Sequence, residues 1–111
     1  MPKKTAPDEV RGSKEFIAYY KAVKRDSEEN KRIRECIESL KKNLQIGDKV
    51  SKEKFPPNYL KKYGITNLYR VATGNSRLTY TIIADKENKV LCILEYFPTH
   101  KEYSERFGYD T

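Results

Sequence analysis

Two arginines and one histidine are the residues of this chain whose types and positions best suit chemistry. Arg70 and Arg77 lie in strand-like segments, and His100, the only histidine, follows the last such segment. A guanidinium holds phosphate oxygens through a planar fork of donors, and an imidazole exchanges protons near neutral pH. This combination suits phosphate chemistry that needs no metal.

Two of the ionisable residues near the last strand-like segment also have structural interpretations. A lone histidine such as His100 is often a surface or hydrogen-bonded side chain. Glu95 would act as a base if it were buried, but a cross-strand ion pair with Arg70 or Arg77 is the favoured interpretation.

Signatures of several enzyme classes are absent from the sequence. It contains no glycine-rich nucleotide loop, no nucleophile-elbow serine and no zinc-protease or acidic metal-ligand pattern. We therefore expect neither a cofactor nor a bound metal. The enzyme chemistry that remains is RNA cleavage by the 2′-hydroxyl, which needs a base, cations on the phosphorane and a proton donor to the 5′ oxygen.

The excess of positive charge lies before residue 67. The 111 residues include 23 Lys and Arg against 16 Asp and Glu, a formal charge of +7. Such an excess fits a polyanionic partner, but a solvated surface explains it equally well. The lysines that would bind RNA phosphates are Lys49, Lys52, Lys54, Lys61 and Lys62.

The first half of the chain predicts two helices. Residues 1–12 are polar, with two prolines and a glycine, and predict a disordered tail, so the domain begins at residue 13. Ser13 would cap a helix over residues 14–25, and Ser27 a second one that reaches residue 44. Two helices joined by so short a turn predict an antiparallel hairpin.

The second half predicts a short helix and a sheet. Pro57 suits the first turn of a helix over residues 58–63, and Gly64 suits its end. Strand-like segments at residues 68–72, 77–84 and 89–97 are joined by short turns and predict an antiparallel meander. One side of this sheet would pack on the helices while the other faces a ligand. The C-terminal segment would cap the sheet or form a short helix.

Cysteine usage and hydropathy favour an intracellular protein. Cys36 and Cys92 lie far apart and predict two buried free thiols. No apolar run is long enough to cross a bilayer, and the N-terminus lacks a signal-like apolar core. We therefore expect a cytoplasmic protein with no membrane partner.

The tyrosines divide into two groups. Tyr20 and Tyr80 lie on predicted apolar faces, which favours packing in the core. Tyr69, Tyr103 and Tyr109 lie near basic residues, where stacking on RNA bases and structural packing are both open.

Four segments of the chain resemble the RelE/ParE superfamily of toxins from type II toxin-antitoxin systems. They are NLYR at residues 67–70, SRLTYTI at 76–82, HKEY at 100–103 and RFGY at 106–109. The resemblance extends over residues 14–109. It implies an α+β fold, with an N-terminal helical hairpin on a twisted antiparallel sheet of three to four strands and a basic concave face.

The RelE branch of that superfamily implies a ribosome-dependent endoribonuclease. Such a toxin cuts messenger RNA in the ribosomal A site, without a metal, and leaves a 2′,3′-cyclic phosphate. In this sequence Arg77 matches the family's phosphate-binding arginine, and Arg70 lies at a basic position on the preceding strand.

The tail supplies the remaining candidates of the resemblance. His100 matches a histidine that acts as general acid in some members, and Lys101 lies near a further cationic position. Tyr103 or Tyr109 matches the family's C-terminal tyrosine. The resemblance also implies a cognate antitoxin as partner. The alternative is a non-nucleolytic member of the same fold, either a ParE-like gyrase poison or an inactive toxin that only binds.

Overall fold

The computed structural model describes residues 6–84 and 87–108 and shows an α+β fold. Within these residues the helices are α1 (Lys14–Ala22), α2 (Glu28–Lys42), α3 (Pro57–Tyr63) and α4 (His100–Phe107), with a 3₁₀ turn at Lys52–Lys54. The strands are β1 (Glu9–Gly12), β2 (Asp48–Lys49), β3 (Tyr69–Thr73), β4 (Ser76–Ala84) and β5 (Lys89–Phe97).

The strands form one mixed sheet in the order β1-β5-β4-β3-β2. The pair β1 and β5 is parallel, and the other neighbours are antiparallel. The predicted meander is therefore the centre of a five-stranded sheet, and the expectations of a helical hairpin first and of three to four antiparallel strands are wrong.

The first strand also corrects the predicted tail. Residues 9–12 pair with β5 instead of being disordered, while residues 1–5 lie outside the described part of the chain. A strand this short at the edge of a sheet is held mainly by backbone hydrogen bonds to its neighbour. Backbone pairing does not require alternating apolar side chains, so the sequence pattern does not predict this strand.

The helices of the first half begin where the sequence predicts. The Ser13 hydroxyl accepts a hydrogen bond from the Phe16 backbone N–H at 3.0 Å, and Ser27 accepts one from Asn30 at 3.1 Å. Each bond satisfies a backbone donor that the helix itself leaves unpaired. Helix α1 ends at Ala22, three residues before the predicted end at residue 25.

The shorter helices follow the same local rules. Pro57 is the first residue of α3, and Gly64 ends the helix in the left-handed conformation with φ of 59°. Thr99 caps α4 by accepting a hydrogen bond from the Glu102 N–H at 3.2 Å. The C-terminal segment thus forms the short helix, one of its two predicted alternatives.

Helices cover both faces of the sheet. One core joins α1 and α2 to Leu78, Tyr80 and their neighbours, and it includes the stacked rings of Tyr69 and Tyr80. A second core, on the opposite face, joins α3 and α4 to the sheet through Val50, Phe55, Tyr59, Ile65, Leu68, Leu94, Phe97, Tyr103 and Phe107.

The second core corrects the prediction that this face meets a ligand. Thr79 and Thr81, which share that face, are buried at 0% and 4% exposure. Leu94 is an extra residue in β5, because Thr79 pairs with Glu95 while Tyr80 pairs with Ile93. This bulge lets Leu94 join the second core, which covers the middle of the face.

Tyr80 is expected to contribute its hydroxyl group as well as its ring to stability. Burial raises its pKa to about 12, and the hydroxyl donates to the Leu44 carbonyl at 2.8 Å while accepting from the Gly47 N–H at 3.0 Å. The Tyr80→Phe variant should lose about 1–3 kcal/mol of unfolding free energy, because two backbone groups lose their partner.

Urea unfolding of Tyr80→Phe measures this loss. The matched control is Tyr20→Phe, since Tyr20 is only partly buried and its hydroxyl makes no hydrogen bond within the described residues. Equal midpoints for Tyr80→Phe and the wild type would contradict the prediction.

Both cysteines are free thiols, and Cys36 is buried while Cys92 is only partly buried. Burial raises the pKa of Cys36 to about 11 and also raises that of Cys92. Among the described helices, none is long and apolar enough to span a membrane.

Candidate functional site

The two arginines and the histidine line one small cleft. This arginine cleft has a volume of about 200 Å³ and is lined by Asp48, Arg70, Ala72, Arg77 and His100. Strand register explains how it forms, because Arg70 lies two residues before Ala72, and Ala72 pairs with Arg77 across β3 and β4. Side chains two apart on a strand share a face, so the two guanidinium groups emerge on the same side.

His100 enters the arginine cleft from α4, of which it is the first residue. It is exposed, its Nδ1 atom lies 3.4 Å from the Ser104 hydroxyl, and its ring centre lies 6.2 Å from that of Tyr103. Since Thr99 caps this helix, the position of His100 is set by the way α4 begins. The structure thus brings Arg70, Arg77 and His100, the three candidates named from the sequence, to one cleft.

Backbone carbonyls of the β3–β4 turn orient Arg77. Its Nη1 donates to the Gly74 carbonyl at 3.1 Å and to the Ser76 carbonyl at 2.9 Å. A guanidinium has five N–H donors, and both of these bonds use donors on Nη1. The two bonds therefore orient the group without using the donors on Nε and Nη2.

The hydroxyl and ring of Tyr103 contact the guanidinium of Arg70. The Arg70 Nη1 donates to the Tyr103 hydroxyl at 3.1 Å, and the guanidinium carbon lies 5.9 Å from the ring centre. Tyr103 is 1% exposed and packs against Phe97 and Phe107. It therefore contacts the arginine cleft through Arg70 and does not line it.

The predicted RNA-binding lysines are exposed, but none lines the arginine cleft within the described residues. Lys49 is in β2, next to Asp48. Lys62 forms an ion pair with Glu15 on α1, with its Nζ atom 2.6 Å from the carboxylate. The hydrogen bond in this pair lowers the pKa of the Glu15 carboxyl. Lys52, Lys54 and Lys61 are exposed, as is the catalytic candidate Lys101, while Tyr109 lies outside the described residues.

Glu95 does not pair with the arginines that the sequence suggests. Its Oε1 accepts from Arg106 Nη1 at 2.9 Å and from the Tyr59 hydroxyl at 2.6 Å. Arg106 lies one turn of α4 beyond Tyr103, so docking of α4 brings it to Glu95, whereas the partner of Glu95 on β4 is Thr79. Burial of Tyr59 raises the pKa of its hydroxyl, and the hydrogen-bonded carboxylate of Glu95 raises it further.

Asp48 is a residue of the arginine cleft that the sequence analysis missed. Gly47 and Asp48 are typical of a turn, but the structure pairs Asp48 with Arg70 in β2 and β3. A Cβ at residue 47 would lie 2.6 Å from the Tyr80 hydroxyl and 2.8 Å from the Arg70 carbonyl, so glycine permits this close approach. No sequence pattern signals it, because the partners are far apart along the chain.

A larger cavity, of about 580 Å³, lies at the other end of β4 and is lined by residues 63–67 and 81–84 with Cys92 and Leu94. Its described lining contains no charged side chain, so it does not suit a phosphate.

Comparisons with known proteins do not assign this chain to a family. No family model matches, and no curated protein and no solved structure gives a significant match. Among the described residues there is also no group of three or more His, Cys, Asp and Glu that could hold a metal.

Proposed function

We propose that this chain is a RelE-like toxin, an endoribonuclease that cleaves messenger RNA in the ribosomal A site by metal-free attack of the 2′-hydroxyl. The observation that carries this proposal is the arginine cleft, in which Arg70, Arg77 and His100 surround one small volume. The two cations stabilise the charge that develops on the phosphorane. His100 donates a proton to the departing 5′ oxygen.

Preorganised arginines support this proposal. Arg77 is anchored on turn carbonyls and Arg70 on the Tyr103 hydroxyl, so each guanidinium has a defined position before RNA arrives. Donors that need no reorganisation during the reaction stabilise a transition state most effectively.

The charge of the molecule is consistent with an RNA substrate. The chain carries a formal charge of +7, and lysines of β2, the 3₁₀ turn and α3 are exposed. Such charges attract the phosphate backbone and make binding depend on salt. The cytoplasm as its location and a cognate antitoxin as its inhibitor belong to this proposal and follow from the resemblance.

The test is cleavage of a reporter messenger on purified ribosomes, followed by mapping of the RNA ends. We expect cuts within the A-site codon and fragments that carry a 2′,3′-cyclic phosphate and a 5′-hydroxyl. The control is the same messenger without ribosomes. Intact RNA together with inhibited DNA supercoiling would instead support the gyrase-poison alternative.

A further inference from the structure

The arginine cleft contains a carboxylate that completes the chemistry of 2′-hydroxyl attack. We propose that Asp48 is a catalytic residue, the general base that takes the proton from the 2′-hydroxyl of the scissile nucleotide. This inference rests on the proposed function. Arg70, Arg77 and His100 supply the cations and the proton donor, and the reaction still needs a base.

The position of Asp48 fits that role. It is the only carboxylate among the described residues that line the arginine cleft. Because Asp48 and Arg70 are partners across β2 and β3, their side chains leave the sheet side by side. A base next to a phosphate ligand matches an RNA backbone, in which the attacking 2′ oxygen neighbours the phosphate that it attacks.

The contacts of the preceding residue hold Asp48 at this position. The Gly47 N–H donates to the Tyr80 hydroxyl, which in turn donates to the Leu44 carbonyl, so the end of the loop after α2 is tied to β4. Asp48 is itself exposed, as a base that meets a substrate must be. Its backbone is therefore fixed while its carboxylate remains accessible.

Glu95, the carboxylate that the sequence suggests as a base, does not have these properties. Its side chain is 17% exposed and is held by Arg106 and Tyr59. It lines a different depression, with Tyr19 and Pro98, and not the arginine cleft.

The reaction balances with these residues alone. Asp48 removes the 2′-hydroxyl proton as the 2′ oxygen forms a bond to phosphorus, and the bond from phosphorus to the 5′ oxygen breaks. Protonated His100 gives its proton to that leaving oxygen. The products are a 2′,3′-cyclic phosphate and a 5′-hydroxyl, and exchange of protons with solvent returns both side chains to their starting states.

The experiment compares Asp48→Asn with the wild type in single-turnover cleavage on programmed ribosomes. We expect a rate lower by about 10²- to 10⁴-fold, the range of general acid-base catalysis. Asp26→Asn is the matched control, since Asp26 is an exposed aspartate in the loop between α1 and α2. It should cleave at the wild-type rate.

A second substrate separates a base from a structural residue. In this RNA, sulfur replaces the bridging 5′ oxygen at the cleavage site, and the thiolate leaves without protonation. The defect of His100→Ala should shrink on this substrate because its proton is no longer needed. The defect of Asp48→Asn should persist, because the nucleophile still has to lose its proton. Asp48→Glu, which keeps a carboxylate, should recover part of the activity.

Three outcomes would overturn the inference. Wild-type rates for Asp48→Asn would exclude Asp48 as the base while leaving the proposed function intact. Loss of the Asp48→Asn defect on the sulfur substrate would assign Asp48 to the leaving group instead. Absence of cleavage by the wild type would remove the proposed function and this inference together. A thermal unfolding scan of each variant identifies a rate loss that comes from misfolding.

Discussion

Arg77→Ala is expected to slow ribosome-dependent RNA cleavage by about 10²- to 10³-fold, the usual effect of removing one preorganised donor from a developing oxyanion. Arg77 lines the arginine cleft, and its Nη1 is held by the Gly74 and Ser76 carbonyls. The variant loses a positioned charge at the phosphate. End-labelled messenger on programmed ribosomes gives the rate constant at saturating protein.

Two further variants show whether the loss comes from geometry or from net charge. Arg77→Lys keeps the charge but lacks the planar fork, so it should recover only part of the activity. Arg25→Ala removes an exposed arginine from the loop between α1 and α2 and should leave the rate unchanged. If Arg77→Ala and Arg25→Ala had equal rates, the phosphate-binding role of Arg77 would be wrong.

Leu94→Ala is expected to lower the unfolding free energy by about 2–5 kcal/mol. Leu94 is 1% exposed and lies in the second core, where the bulge in β5 places it among residues that hold α3 and α4. Removal of its side chain leaves a cavity that the surrounding strands and helices are expected to fill only in part. Chemical denaturation followed by circular dichroism gives the loss.

The control for this variant lies on the neighbouring strand. Ile83 is 58% exposed, and Ile83→Ala should change the unfolding free energy by less than about 0.5 kcal/mol. A small effect of Leu94→Ala, similar to that of Ile83→Ala, would mean that the second core contributes little to stability. Because His100 is carried by α4, loosening of this core should also lower cleavage activity.

The second core limits which part of the sheet the proposed RNA substrate could reach. Helices α3 and α4 cover the middle of the face that carries Thr79 and Thr81, and the arginine cleft lies at one end of that face. An RNA that reacts there would meet β2, β3, the start of β4 and the first residue of α4. The proposed substrate therefore binds across one edge of the domain.

The elements whose signals are local were predictable from the sequence. Ser13 and Ser27 cap their helices because each hydroxyl bonds a backbone N–H three residues later. Gly64 ends α3 because its missing side chain permits a left-handed backbone. The three central strands follow from their apolar and β-branched residues together with short turns.

The amino-acid sequence by itself thus determined the main helices, the central strands and the candidates Arg70, Arg77 and His100. Only the tertiary structure decided that β1 and β2 extend the sheet, that Glu95 pairs with Arg106, and that Asp48 lies in the arginine cleft. Helix caps and turns depend on residues only a few positions apart, so the residue types in a short segment predict them. Edge strands join residues that are distant along the chain through backbone bonds, and the ion pair of Glu95 with Arg106 depends on how α4 docks on the sheet. No short sequence pattern encodes either of these.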